Sequence, residues 1–135
     1  MRALHEDALE PYVLVVDDDR DMRETLVEIL EDEGYAVKTA SDGDAALAEM
    51  RRAPPAVVLL DLNMPRVSGE DVRRIQLADR SLRGIPTVVI SAAAGLAERC
   101  AELTPSEVLA KPIRLADLLA VVRRFCAPPG LDAPA

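Results

Sequence analysis

Three short apolar runs set the terms on which this chain can fold: "YVLVV" at 12–16, "AVVLL" at 56–60 and "TVVI" at 87–90. Each is too short for a helix and rich in branched residues, so each reads as a strand. Their unbroken hydrophobicity means that both faces are covered. Two weaker runs, "YAVKT" at 35–39 and "EVLA" at 107–110, carry polar residues and read as edge strands.

Helical patterns fill the intervals. Met22, Leu26, Ile29 and Leu30 share one face, Asp21 and Glu24 are spaced as a capping box, and Gly34 stands just past the end. Ser41 and Asp44 open a second helix carrying Leu47 and Met50; Ser68 and Asp71 open a third carrying Val72 and Ile75. A short fourth fits around Leu96 to Leu103, and the last holds Leu115, Leu118, Leu119, Val122 and Phe125 on one face. Pro54, Pro55 and Pro86 punctuate the returns to strand. Strand and helix thus alternate five times, which predicts an α/β fold with a parallel sheet, right-handed crossovers and helices on both faces.

At 135 residues there is room for one domain. It is expected over 12–126, after a polar leader at 1–11 that holds the only histidine, His5, and before a Pro- and Ala-rich tail, "APPGLDAPA" at 127–135, which reads as disordered or as a linker stump. One Phe, two Tyr and no Trp leave the core to Val, Leu, Ile and Ala. The same scarcity of aromatics, with a net charge of −8, argues against a nucleic-acid surface. The Arg pairs at 51–52, 73–74 and 123–124 each fall late in an expected helix, where they face its negative end. Cys100 and Cys126 form no CxxC pair and are too few for a disulfide framework. No apolar run approaches the roughly 18 residues a bilayer span needs, and the leader has no signal-peptide core, so the expectation is a cytoplasmic protein without a membrane partner.

In open parallel sheets ligands bind beyond the carboxyl ends of the strands. Here the first strong run ends in Asp17 and Asp18, the second in Asp61, the third in Ser91, and the last weak run in Lys111. The row Asp17, Asp18, Asp19, with Asp21 just beyond, is costly: like charges at 4 Å repel by about 1 kcal/mol in water and about 4 kcal/mol at an effective dielectric of 20. A solvated helix start would account for part of the row, and a turn and a surface lysine would account for Asp61 and Lys111 taken singly. Their joint arrival at strand ends favours a site. Carboxylates without His or Cys suit a hard cation, Mg²⁺ or Mn²⁺, rather than zinc. Mg²⁺ completes its shell with waters and phosphate oxygens, so the site is expected to handle a phosphoryl group, with Lys111 and Ser91 as partners for its oxygens.

The stretches "VLVVDDD", "VVLLDLNMP", "VVISA" and "LAKPI" resemble, in order, the signatures of the response-regulator receiver domain of two-component signalling, over about Tyr12 to Phe125. The resemblance implies a flavodoxin-like (βα)5 fold with strand order 2-1-3-4-5. It implies that Asp61 accepts phosphate from the phosphohistidine of a kinase or phosphotransfer protein, and that Asp17, Asp18, Asp61 and the backbone carbonyl of Asn63 hold Mg²⁺. It also implies that Ser91 and Lys111 contact the phosphoryl group, and that the Lys111–Pro112 peptide bond is cis. Such a protein is a switch for an unidentified downstream partner rather than an enzyme, beyond its own phosphotransfer and autodephosphorylation. Two features depart from the family pattern. Val108 stands where receivers often carry an aromatic switch residue, and Thr104, Pro105 and Ser106 replace the frequent Gly-Ala turn. A receiver-like scaffold that binds independently of phosphate is the alternative. An aspartyl-phosphate phosphatase of the haloacid dehalogenase type fits poorly, since "LNMP" follows Asp61 and "DDRD" follows Asp17.

Overall fold

The computed structural model describes residues 11–64, 67–92 and 101–126. In chain order they form β1 (Val13–Val16), α1 (Arg20–Asp32), β2 (Val37–Ala40), α2 (Gly43–Arg52), β3 (Val57–Asp61), α3 (Gly69–Ala78), β4 (Thr87–Ser91), β5 (Glu107–Ala110) and α4 (Leu115–Phe125). The leader at 1–10 with His5, the tail at 127–135, Cys100 and most of the expected helix at 96–103 lie outside the described residues.

All strand pairings are parallel, in the order β2-β1-β3-β4-β5, as the flavodoxin-like expectation requires. The three continuous runs occupy the centre and the two polar ones the edges. Alternation along β1 sends Leu14 and Val16 into one core with Ala46, Leu47 and Met50 of α2 and Val72 of α3. Val13 and Val15 enter the other, with Leu26 and Leu30 of α1 and Leu118, Val121 and Val122 of α4. Helices therefore cover both faces. At about 25 cal/mol per Å² of buried apolar area, these two layers are the main source of stability.

Local signals in the sequence are partly redirected. The cap of α1 is Asp19, whose carboxylate accepts from the amides of Asp21 and Met22, rather than Asp21 with Glu24; Glu24 instead meets Arg20 at 2.9 Å. Asp42 caps α2 in place of Ser41, accepting from Ala45 N. In α1 the capping aspartate lies nearer the preceding strand than the expected cap, and in α2 it lies one residue farther from it, directly before the first helical residue. The Ser68/Asp71 capping box of α3 forms as expected. Gly34 takes φ 94°, and the amides of Gly34 and Tyr35 bond Glu31 O and Leu30 O, closing α1 in a left-handed cap that favours glycine.

Three apolar and basic assignments also change. The buried stripe of α3 is Gly69, Val72, Arg73 and Gln76, leaving Ile75 exposed. In α4, Leu115 is exposed, and Val121 joins the buried face. Arg73 is not a terminal surface arginine: it sits mid-helix and is buried, and Arg74 too precedes the last turn, whereas Arg51, Arg52, Arg123 and Arg124 do occupy last turns.

Candidate functional site

The carboxyl ends of β1, β3, β4 and β5 meet, and the sequence-predicted residues meet with them. Asp17, immediately after β1, and Asp61, the last residue of β3, are each 3% exposed; Asp18 is exposed at the rim. One oxygen from each of these three carboxylates lies within 4.8 Å of the others. Lys111 Nζ, just beyond β5, approaches Asp61 Oδ1 at 3.6 Å and Asp17 Oδ2 at 4.0 Å. The Lys111–Pro112 bond is cis.

The aspartate row divides into three roles. Asp17 turns inward and its Oδ1 accepts the Asp19 amide at 2.9 Å, Asp18 faces solvent at the site's edge, and Asp19 caps α1. Arg23, from the first turns of α1, donates to the Asp17 carbonyl at 2.8 Å and so ties the helix to the strand end. Sequence reasoning missed Arg23, because its acceptor is a main-chain oxygen.

On the β3 side, the Asn63 amide donates to Asp61 Oδ1 at 3.1 Å, and Asn63 Nδ2 donates to Ser91 Oγ at 3.2 Å. Ser91 ends β4 and is fully buried. Gly69 supports this corner from below. A Cβ there would stand 2.2 Å from the Asp61 carbonyl oxygen and 2.6 Å from Leu62 Cα, so only glycine lets α3 begin this close to the strand.

Burial pushes the Asp61 carboxyl above the ordinary carboxylate range; the Asn63 amide and Lys111 pull it back, while Asp17 and Asp18 add to the rise. Three carboxylates facing one ammonium leave a formal surplus of two negative charges. An all-oxygen donor set with that surplus fits a hard divalent cation. Asp17, Asp18 and Asp61 are the side chains placed to hold one.

A family model described as the response regulator receiver domain matches residues 13–123. The response regulator MprA of Mycobacterium sp. strain KMS is 40% identical over 91% of this chain and 55% of its own length. The DNA-binding response regulator MtrA of Mycobacterium tuberculosis strain H37Rv is 34% identical over 87% of this chain and 51% of its own. This chain therefore spans about half the length of the curated relatives it matches. Among solved structures, the receiver domain of a Pseudomonas aeruginosa PAO1 sensor histidine kinase, described with a magnesium ion coordinated in its active site cleft, aligns with a TM-score of 0.79 at 26% identity, over 86% of this chain and 97% of that one. No described helix is long and apolar enough to cross a membrane.

Proposed function

Because this chain belongs to the response regulator receiver family, we propose that it is a phosphorylation-driven switch whose phosphoacceptor is Asp61. The observation that carries this reading is the placement of Asp61, buried at the end of the central strand, with two further carboxylates within 4.8 Å and an ammonium at 3.6 Å. A carboxylate oxygen of Asp61 forms the new P–O bond as the P–N bond to a donor phosphohistidine breaks; the leaving imidazole keeps the bonding pair and takes up a proton. Lys111 lies where its charge meets the phosphoryl oxygens, and the Ser91 hydroxyl accepts from the side chain of Asn63, whose backbone amide donates to Asp61. Asp17, Asp18 and Asp61, with the Asn63 carbonyl, are the proposed Mg²⁺ ligands. A bound Mg²⁺ supplies charge neutralisation to the phosphoryl oxygens.

The donor is a histidine kinase or histidine phosphotransfer protein, and the output is contact with a second protein. The acyl phosphate returns to carboxylate by hydrolysis, so the chain catalyses only its own cycle. We infer a cytoplasmic location, in keeping with two cysteines too few for a disulfide framework, and no nucleic-acid contact by this domain itself, on a net charge of −8; the DNA-binding relative is matched over half its length only.

Acetyl phosphate with Mg²⁺ should add one hydroxylamine-labile phosphoryl mass to the wild type and none to Asp61→Asn. A full adduct persisting in Asp61→Asn overturns the assignment. No adduct in either protein favours the phosphate-independent scaffold.

A further inference from the structure

Arg73 is a buried cation that the phosphoryl chemistry leaves unused. It is 4% exposed, and burial draws its guanidinium below its ordinary pKa. Among the described residues it meets only neutral oxygens. Nε donates to the Leu103 carbonyl at 2.9 Å, and the two terminal nitrogens donate to the Thr104 carbonyl at 2.9 Å and to Thr87 Oγ1 at 3.2 Å. Thr104 holds φ 39°, the left-handed region that threonine rarely adopts. Gln76, one turn on and fully buried, donates to Thr87 Oγ1 at 2.9 Å and to the Leu82 and Ile85 carbonyls at 3.2 and 3.1 Å.

The first turn of the same helix touches the phosphoacceptor strand. Gly69 N donates to the Leu62 carbonyl at 3.2 Å, and the Gly69 backbone packs against the Asp61 carbonyl too closely for a Cβ. Gly69 and Arg73 are separated by about 6 Å along a rigid helix. An arginine buried without an anion is expensive, and a turn can be stabilised more cheaply by apolar packing. What the rigid fork adds is a fixed geometry between α3 and two successive carbonyls of a strained turn.

We propose that α3 is a strut between the phosphoacceptor strand and the turn entering β5, with Arg73 as the positioning residue at its far end. A displacement of the Asp61–Leu62 backbone passes through Gly69 into α3, and Arg73 carries it to Leu103 and Thr104. This inference rests on Asp61 being the phosphoacceptor. It gives the chain a route to its β5 edge that does not use Val108, whose short, stiff side chain presents too little surface to report a change.

The test uses the isotope-labelled full chain with Mg²⁺, with and without beryllofluoride as the phosphoryl mimic on Asp61. In the wild type, resonances of Asp61, Leu62 and Ser91 should shift, and so should those of residues 103–106. In Arg73→Met the first set should shift as before, and the second should shift roughly twofold less or weaker still. Thr87→Val removes one bond to Arg73 and leaves the carbonyl grip intact, so its response at 103–106 should stay near wild type even as its stability falls. Should Arg73→Met not fold, Arg73→Lys is read instead, since an ammonium lacks the two-carbonyl fork and should weaken the response similarly. An unchanged response at 103–106 in the folded Arg73 variant overturns the strut, as does an equal loss in Thr87→Val, or a wild type in which only the site residues shift. A wild type silent at Asp61, Leu62 and Ser91 overturns the phosphoacceptor reading itself.

Discussion

β4 runs between two charged clusters of opposite character. At its carboxyl end, Ser91 accepts from Asn63 beside the cluster of Asp17, Asp18 and Asp61, two of whose carboxylates face Lys111. At its amino end, about 13 Å away, Thr87 borders Arg73, a cation whose partners among the described residues are carbonyl and hydroxyl oxygens. The first cluster has a surplus of charge that its own residues do not cancel. In the second, every nitrogen of the guanidinium has an acceptor. A charge surplus left open to solvent at one rim, as Asp18 leaves it, is what a site for a cation and a phosphoryl group requires. A charge closed off by hydrogen bonds holds backbone in place.

That contrast fixes the signs of three measurements. Arg73→Met should give the largest effect, a loss of about 2–4 kcal/mol in urea unfolding, because two carbonyls and the Thr87 hydroxyl lose a buried donor. A loss well under 1 kcal/mol would mean that the amino-end cluster is not a structural clamp, and the contrast would fail there.

Mg²⁺ should act at the other end alone. At a hundredfold excess over its Kd it should stabilise the wild type by about 2.7 kcal/mol. Asp18→Asn should abolish that shift, while Arg73→Lys should retain it. An unchanged Mg²⁺ shift in Asp18→Asn would remove that residue from the cation site.

The smallest effect should be a gain. In metal-free buffer Asp61→Asn relieves repulsion from Asp17 and Asp18 and should stabilise the fold by about 1 kcal/mol. The pH dependence has a definite sign. The folded-state pKa of Asp61 is raised, chiefly by burial, so the native state binds the proton more tightly than the unfolded chain does. The stability this contributes is present below the ordinary carboxylate pKa and is lost as pH rises through the folded value. Unfolding followed from pH 4 upward, an interval set by ordinary carboxylate titration, should show this decline in the wild type and a flatter profile in Asp61→Asn. A steeper decline in the variant would contradict the assignment of cause.

The clustering of Asp17, Asp18, Asp61 and Lys111 was legible in the sequence because each follows an apolar run, and in a parallel sheet those runs end at one edge. The strand order needed the family resemblance, since parallel pairing leaves no local trace in the chain. The cap of α1 was misassigned for a specific reason: where Asp17, Asp18, Asp19 and Asp21 crowd together, spacing alone does not say which carboxylate turns back to the free amides. Arg73 was hidden more deeply. Apolar periodicity scores arginine as solvent-facing, and its acceptors at Leu103 and Thr104 lie some thirty positions downstream. Gly69 left a faint signal, a glycine directly after the cap serine, but its necessity comes from the Asp61 carbonyl.

The placement of β1 has a consequence during synthesis. Its neighbours are β2 and β3, so Val13–Val16 complete their pairing only when Val57–Leu60 have been made. At ordinary elongation rates that interval lasts roughly 2 to 9 seconds. Throughout it the growing polypeptide exposes a short apolar strand whose backbone groups have no partner and can pair with copies of itself on neighbouring ribosomes. The aspartates that follow it repel such copies, as charges flanking an apolar strand do. Replacing Asp17, Asp18 and Asp19 together by Asn should therefore lower the soluble yield of newly made chain, even under conditions where the purified variant is stable.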